Sequence, residues 1–185
     1  GINIMPRQPT EVSTDSKGAG ESRAAFLERF SGVFEHSPWV AEQAFNSLHK
    51  SGVRWEDLGP EALSRWFIEA IHSASKQRQL NLLKAHPELA CAPATRETLT
   101  DYSKSEQSKA GLDQCSADEF AEFGELNRAY QSRFGFPFIL AVKGYHRTEI
   151  LELFRERVGN PPVQEFETAL EQVCRIGLLR LEAEQ

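Results

Sequence analysis

Residues 162–182, PVQEFETALEQVCRIGLLRLE, carry the pattern that decides the fold class. Pro162 suits the first turn of a helix, because the N–H that proline lacks would have no intrahelical partner there. Apolar residues then recur every three or four positions, at Val163, Phe166, Leu170, Val173, Ile176 and Leu179. This spacing predicts one long amphipathic helix, and it leaves Arg180 outside the apolar stripe.

The same helical period recurs in almost every segment from residue 23 onward, and local start signals precede the segments. The predicted starts are Ser37-Pro38, Pro60, Ser75, Thr100, Ser116 and Thr148. Ser116 and Glu119 have the spacing of a capping box, and Gly135 is a suitable stop for the helix that they begin. We therefore predict an all-α fold, a single-domain bundle of about eight to nine helices over residues 23–185.

One segment does not fit the helical pattern. Residues 134–144, FGFPFILAVKG, form a continuous apolar run with an internal proline. No second candidate strand exists to pair with it, and a lone strand leaves its backbone groups without partners. We expect one short buried segment here, in the first place a non-helical extended loop and as the alternative a short helix, whose backbone groups need partners elsewhere. A substrate could supply some of them.

Composition excludes several classes of function. The 185 residues carry a formal net charge of −6 with no basic stripe, which argues against a nucleic-acid partner. No apolar run approaches the roughly 20 residues that a membrane span needs. Three cysteines, far apart and odd in number, argue against a disulfide scaffold or a zinc knuckle and favour a reducing, cytoplasmic location. Residues 1–22 are polar and aperiodic, and we expect a flexible tail there.

Two short motifs could carry chemistry, and each also has a plain structural interpretation. His86-Pro87 closes the helix of residues 76–86, so His86 is either a helix-end cap favoured by the helix dipole or a proton donor or acceptor. In SKSEQ, residues 103–107, helical spacing places Ser103, Glu106 and Gln107 on one face. That face either clamps a small polar molecule or is merely solvated.

Other catalytic patterns are absent from the sequence. The five histidines show no metal-ligand spacing, and no glycine-rich phosphate loop or nucleophile elbow occurs. From these residues alone, the prediction is a helical domain with a possible His/Glu site and no bound metal.

Four motifs in a fixed order narrow the prediction. They are HPELA at 86–90, SKSEQSKAGL at 103–112, LNRAYQSRFGFPFILAVKG at 126–144 and VCRIGLLRLE at 173–182. In this order they resemble the OHCU decarboxylase family, named for 2-oxo-4-hydroxy-4-carboxy-5-ureidoimidazoline, and the resemblance covers about residues 24–182. It implies an all-helical, cofactor-free, commonly homodimeric lyase of urate degradation that produces (S)-allantoin.

The resemblance also implies a site. It makes His86 the catalytic histidine and Glu106 its acidic partner. It makes the following residues substrate-binding: Pro87, Ser103, Lys104, Ser105, Gln107, Phe138, Ile139, Leu140, Ala141 and Val142. Lys143 stands where some members carry Arg, and Lys keeps the charge but loses the planar fork. The alternatives are another helical hydrolase of ureides and a non-catalytic helical interaction module.

Overall fold

The computed structural model describes residues 12–91 and 101–184, and within these ranges it contains eight α-helices and no β-strand. The helices are α1 (Val12–Phe30), α2 (Trp39–Lys50), α3 (Pro60–His72), α4 (Lys76–Ala85), α5 (Asp101–Lys109), α6 (Ala117–Phe134), α7 (Arg147–Arg157) and α8 (Pro162–Ala183). A short 3₁₀ turn, Trp55–Asp57, precedes α3. The all-α prediction is confirmed for the described part of the chain.

Local capping explains several of the helix ends. Ser75 Oγ accepts the Arg78 N–H at 3.2 Å, and Ser116 forms the predicted capping box with Glu119. Gly135, with φ of 78°, ends α6 in the left-handed conformation that glycine adopts without cost. These starts and stops agree with the sequence prediction, whereas the predicted cap Thr100 lies outside the described residues.

Three helix starts differ from the prediction. α2 begins at Trp39 with Pro38 as its N-cap, one position later than the predicted cap at Ser37. α7 begins at Arg147 rather than after Thr148, because His146 is the N-cap and its ring accepts the Thr148 N–H at 3.4 Å. α1 begins at Val12, inside the stretch expected to be a flexible tail. Within that stretch, Ser22 Oγ accepts the Trp55 indole N–H at 2.9 Å. Once a helix is anchored in this way, each residue added to its end forms one more backbone hydrogen bond.

α8 packs against α3, α4 and α6 and supplies much of the core. Leu170, Val173 and Ile176 are buried as their spacing predicted. Val163 is 72% exposed, so its predicted place on the buried stripe is wrong, as is the exclusion of Arg180, which is 2% exposed. The buried face therefore follows Leu170, Val173, Gly177 and Arg180 in the last turns of the helix.

The turn between α1 and α2, residues 31–38, approaches α8 very closely. A Cβ atom added to Gly177 would lie 2.5 Å from Cζ of Phe34, so only glycine leaves room for the phenyl ring as it is placed. Within the turn, His36 has a φ of 55°. A non-glycine residue in this left-handed region is strained and is held there by its surroundings.

Residues 137–142 are non-helical and almost completely buried, as expected for this apolar run. Side chains from α7 and α8 satisfy part of its backbone. Arg157 Nη1 donates to the Ile139 carbonyl at 2.7 Å, and the Ala141 N–H donates to Gln172 Oε1 at 2.9 Å. Because these partners are side chains, the segment needs no neighbouring strand.

The cysteine prediction is wrong in one respect. Cys91 and Cys115 form a disulfide, with Cα atoms 5.6 Å apart, although 24 positions separate them in the sequence. Cys174 is a buried thiol whose pKa is raised to about 11 by burial and by the nearby Glu171 carboxylate. Wide spacing of the cysteines in the sequence therefore does not exclude a disulfide in this chain.

In the ranges 12–91 and 101–184, no helix combines the length and the apolar character that crossing a membrane requires.

Candidate active site

His86 lies at the C-terminal end of α4 and turns the chain out of the helix. Its φ of −74° and ψ of 136° are extended, which is the conformation that the following proline favours. The side chain is 12% exposed, and its Nδ1 lies 3.5 Å from Oε2 of Glu35. The ring is therefore held against a carboxylate at a bend between two segments.

Glu35 is the centre of a buried polar cluster that consists of Glu35, His86, Ser103, Glu106 and Arg180. Its side chain, 2% exposed, accepts hydrogen bonds from Ser103 Oγ at 2.7 Å and from Arg180 Nη1 and Nη2 at 3.0 and 2.7 Å. Burial would raise the pKa of Glu35, but the contacts from His86 and Arg180 outweigh it and hold the pKa well below the usual carboxyl value. Glu35 is thus ionised despite its burial.

Arg180 connects three elements through one guanidinium. Nη1 donates to the Val33 carbonyl at 2.7 Å, and Nε and Nη2 donate to the two oxygens of Glu106 at 2.8 and 3.1 Å. Burial works against the charged form, but the hydrogen bonds to Glu106 and Glu35 raise the pKa of Arg180 above its ordinary value. The result is a permanent cation inside the bundle.

Glu106 pairs with Arg180 in this structure, and Glu35 is the carboxylate that contacts the His86 ring. The family resemblance implies Glu106 as the acidic partner of His86, whereas in this structure the carboxylate next to His86 is that of Glu35. The Glu106 side chain is 32% exposed, unlike the nearly inaccessible side chains of Glu35 and Arg180. Glu106 is consequently the member of the cluster that a ligand can reach most easily.

Two further residues of the predicted substrate-binding helix bind the protein itself. Gln107 accepts the Ala90 N–H at 3.1 Å and donates to the Glu88 carbonyl at 3.3 Å, which ties α5 to the segment that follows Pro87. Ser103 donates to Glu35 and accepts from Arg180 Nη2 at 3.3 Å. Both side chains thus hold the cluster and its surroundings in place.

A cavity of about 240 Å³ adjoins the cluster, between α5, residues 141–144 and α8. Glu106 and Arg180 belong both to its lining and to the cluster. Other lining residues are Tyr102, Ser105, Lys109, Ala141, Val142 and Lys143. Among the described residues His86 is not part of the lining, but it contacts Glu35, which in turn binds Arg180 in the cavity wall.

The remaining predicted residues divide into two groups. Ser105, Ala141 and Val142 border the cavity, whereas Pro87, Lys104, Phe138, Ile139 and Leu140 do not. Phe138 lies fully buried and stacks on Phe154 with ring centroids 3.9 Å apart, so its side chain belongs to the core. Of the two residues of the apolar run that line the cavity, Ala141 donates its N–H to Gln172, whereas no hydrogen bond among the described residues uses the Val142 N–H.

Tyr102 closes one side of the cavity. Its hydroxyl donates to the Glu184 carboxylate, and its ring lies 5.2 Å from the Arg180 guanidinium carbon. Burial and the hydrogen bond to Glu184 raise the pKa of Tyr102 to about 12.

Sequence reasoning missed Glu35 and Arg180 as site residues. A signal for Arg180 was present, because it follows Val173 by seven positions and Gly177 by three and so shares their helix face. For Glu35 the only local signal is its place in VFEHSP, between buried apolar residues and a helix start. In the described ranges, no three His, Cys, Asp or Glu side chains are grouped so that they could hold a metal ion.

The part of the chain that resembles known proteins contains all five residues of the cluster. A family model described as OHCU decarboxylase matches residues 20–182. The 2-oxo-4-hydroxy-4-carboxy-5-ureidoimidazoline decarboxylase of Haloferax volcanii is 41% identical over 157 residues, which are 85% of this chain and 87% of that protein.

Two solved structures are similar as well. A crystal structure of (S)-allantoin synthase has a TM-score of 0.67 and 30% identity, over 91% of this chain and 53% of that one. A crystal structure of OHCU decarboxylase in the presence of (S)-allantoin has a TM-score of 0.63 and 26% identity, over 82% and 94% of the two chains.

Proposed function

The chain belongs to the OHCU decarboxylase family, and from this membership we propose how its buried cluster serves the decarboxylation of 2-oxo-4-hydroxy-4-carboxy-5-ureidoimidazoline to (S)-allantoin in urate degradation. The enzyme is a carboxy-lyase. One observation carries the assignment of the site: a buried set of charged groups, Glu35, Arg180 and Glu106, connects His86 to a cavity large enough for a small heterocycle.

The substrate itself provides the electron sink. When the bond between the ring and its carboxylate breaks, the electron pair moves toward the neighbouring C=N bond and CO₂ leaves. A proton then returns to the ring from one face, and the face decides which enantiomer of allantoin forms. The protein has to orient the carboxylate, exclude water and deliver that proton.

His86 is the proton donor or relay in this proposal. Its Nδ1 faces Glu35, so Nε2 is the ring nitrogen left for the substrate or for a proton path to it. Glu106 binds the 4-hydroxyl or the ureido N–H of the substrate through the exposed part of its carboxylate. Val142 offers its N–H to a ring oxygen at the cavity wall.

Charge at the cavity favours an anionic substrate. Of the cluster, Glu106 and Arg180 line the cavity, and their opposite charges cancel because the two side chains pair with each other. Lys109 and Lys143 then add two positive charges to the cavity lining. We assign to these two lysines the attraction of the substrate carboxylate.

The test of the function is stereochemical. Urate is oxidised enzymatically with and without the protein while circular dichroism follows the product, and we expect enantiopure (S)-allantoin and CO₂ only with the protein. Racemic product at the uncatalysed rate, or release of ammonia in place of CO₂, would refute the assignment. His86→Asn should abolish the acceleration. Because the His86 side chain is 12% exposed and contacts Glu35, a thermal melt of the same variant separates loss of catalysis from loss of fold.

Activity should need no cofactor, because the C=N bond accepts the electrons. Prolonged EDTA treatment should leave the rate unchanged. Loss of activity that one divalent ion restores would contradict this proposal. The family resemblance further supports a homodimer, which light scattering checks. A cytoplasmic location stays a prediction, which cell fractionation checks. It is based on the absence of an evident cysteine pair in the sequence, and the Cys91–Cys115 disulfide weakens that basis.

A further inference from the structure

We infer that Glu35 is a positioning residue for this reaction: its carboxylate holds the His86 imidazole and the Arg180 guanidinium in one fixed arrangement. The inference rests on the proposed function, since it concerns the same site. Glu35 contacts His86 Nδ1 with one oxygen, Ser103 with the other, and Arg180 with both. No other described carboxylate is paired with both the histidine and the arginine of the cluster.

The contact with His86 determines which ring nitrogen carries a proton. A carboxylate can only accept, so the 3.5 Å contact between Nδ1 and Glu35 Oε2 favours the tautomer that carries its hydrogen on Nδ1. In the neutral ring, Nε2 then becomes the acceptor, and in the charged ring it becomes the donor. Glu35 thereby presents one defined nitrogen to the substrate side in either protonation state.

The backbone around Glu35 is built to hold that carboxylate still. Ser37 Oγ donates to the Glu35 carbonyl at 3.2 Å, and His36 adopts the left-handed conformation beside it. Phe34 is seated on Gly177, one helical turn before Arg180 on α8. The turn of residues 31–38 thus contacts α8 twice, through Phe34 on Gly177 and through Glu35 on Arg180.

A second buried pair shows what a purely structural role looks like. Glu165 is completely buried and accepts from Arg157, Asn160 and Tyr130, but neither His86 nor the cavity touches it. Glu165→Gln removes a carboxylate that is buried like that of Glu35 but lies outside the cluster and the cavity. It is therefore the matched control for loss of stability.

The experiment compares Glu35→Gln, Glu35→Asp and Glu165→Gln. Long-range ¹⁵N–¹H correlation NMR reports the tautomer of His86 in the resting protein. In Glu35→Gln, the amide oxygen is expected to keep the bonds from Ser103 Oγ and Arg180 Nη2. The NH₂ group then replaces the oxygen that faces His86 Nδ1 and Arg180 Nη1, so the bond from Nη1 is lost and the ring should change to the Nε2–H tautomer. Glu165→Gln should leave the His86 signals as in the wild type while its melting temperature falls.

Kinetics on the same variants supply the second readout. We expect kcat of Glu35→Gln to fall roughly 10²–10⁴-fold, the range for misdirected acid–base groups, and to fall by a larger factor than KM rises. Glu35→Asp keeps the charge but withdraws it by one methylene, so its kcat should lie between that of the wild type and that of Glu35→Gln. Restoration of part of the rate by Asp at equal thermal stability would support positioning.

The outcomes separate two kinds of failure. If the wild type itself does not decarboxylate the substrate, the proposed function fails, but the tautomer comparison still decides whether Glu35 holds His86. If the wild type is active and Glu35→Gln keeps both its kcat and its His86 signals, the positioning inference is wrong. If Glu35→Gln does not fold, Glu35→Asp takes its place. A wild-type kcat and unchanged His86 NMR signals in Glu35→Asp would then also show that the positioning inference is wrong.

Discussion

Replacing Arg180 by Met should destabilise the protein strongly at neutral pH. Met keeps most of the aliphatic stem but removes the guanidinium that neutralises Glu35 inside the bundle. Glu35 is then a buried carboxylate with Ser103 and His86 as its described partners. Removing one partner of a buried pair costs about 3–5 kcal/mol, because the remaining charge is left without compensation.

The loss should depend on pH in a defined direction. In the wild type the pKa of Glu35 is lowered, so its stabilising contribution is present above the unfolded carboxyl value of about 4.3 and is lost as the pH falls below it. In Arg180→Met, burial dominates and should raise the pKa of Glu35. The variant then takes up a proton on folding, so the difference in stability should shrink between pH 7 and pH 4.5.

Urea unfolding followed by far-UV circular dichroism at both pH values measures the two free energies. Arg155→Met is the control, because Arg155 pairs with Glu122 at the surface and is 53% exposed. Exposed pairs contribute about 0–1 kcal/mol, so this variant should stay near the wild type. A loss below about 1 kcal/mol for Arg180→Met at pH 7, or an equal loss at both pH values, would refute the role given to the buried charges.

Three further predictions concern the cavity and its support. Glu106→Gln should lower kcat/KM roughly 10²–10⁴-fold in steady-state kinetics. Its melting temperature should fall less than that of Arg180→Met, because Glu35 still neutralises Arg180, and wild-type kinetics would show that the Glu106 carboxylate only pairs with Arg180. Val142→Pro should weaken substrate binding in titrations more than it lowers the melting temperature, whereas Ala141→Pro loses the bond to Gln172 and should mainly lose stability; equal effects in both would place the ligand elsewhere. Gly177→Ala should cost about 1–3 kcal/mol in urea unfolding, because the facing phenyl ring must move, and an unchanged midpoint would show that the turn has room.

Local signals were sufficient to predict most of the helices. A proline at the first position of α8, a serine cap before α4 and a glycine stop after α6 each act within one or two turns, so their effect is visible in the sequence. The buried run near residue 140 was also recognisable, because an apolar stretch without a partner strand has few other solutions.

The polar cluster was not predictable in the same way. Glu35 and Arg180 are 145 positions apart, and no spacing rule connects residues at that distance. The sequence motif located Glu106 but not its partner, because several carboxylates could reach one histidine once the helices pack. The disulfide was missed for the same reason, since the separation of Cys91 and Cys115 says nothing about their distance in space.

The span between Glu35 and Arg180 also governs when the enzyme can become active during synthesis. At about 5–20 residues per second, roughly 7–30 s pass between the addition of Glu35 and that of Arg180. Until then α1 to α7 can form and begin to pack, but the carboxylate has no guanidinium and must stay in water or pick up a proton. A ribosome-bound chain that stops before α8 therefore carries His86 and Glu106 without a working site, and activity appears only with the last helix.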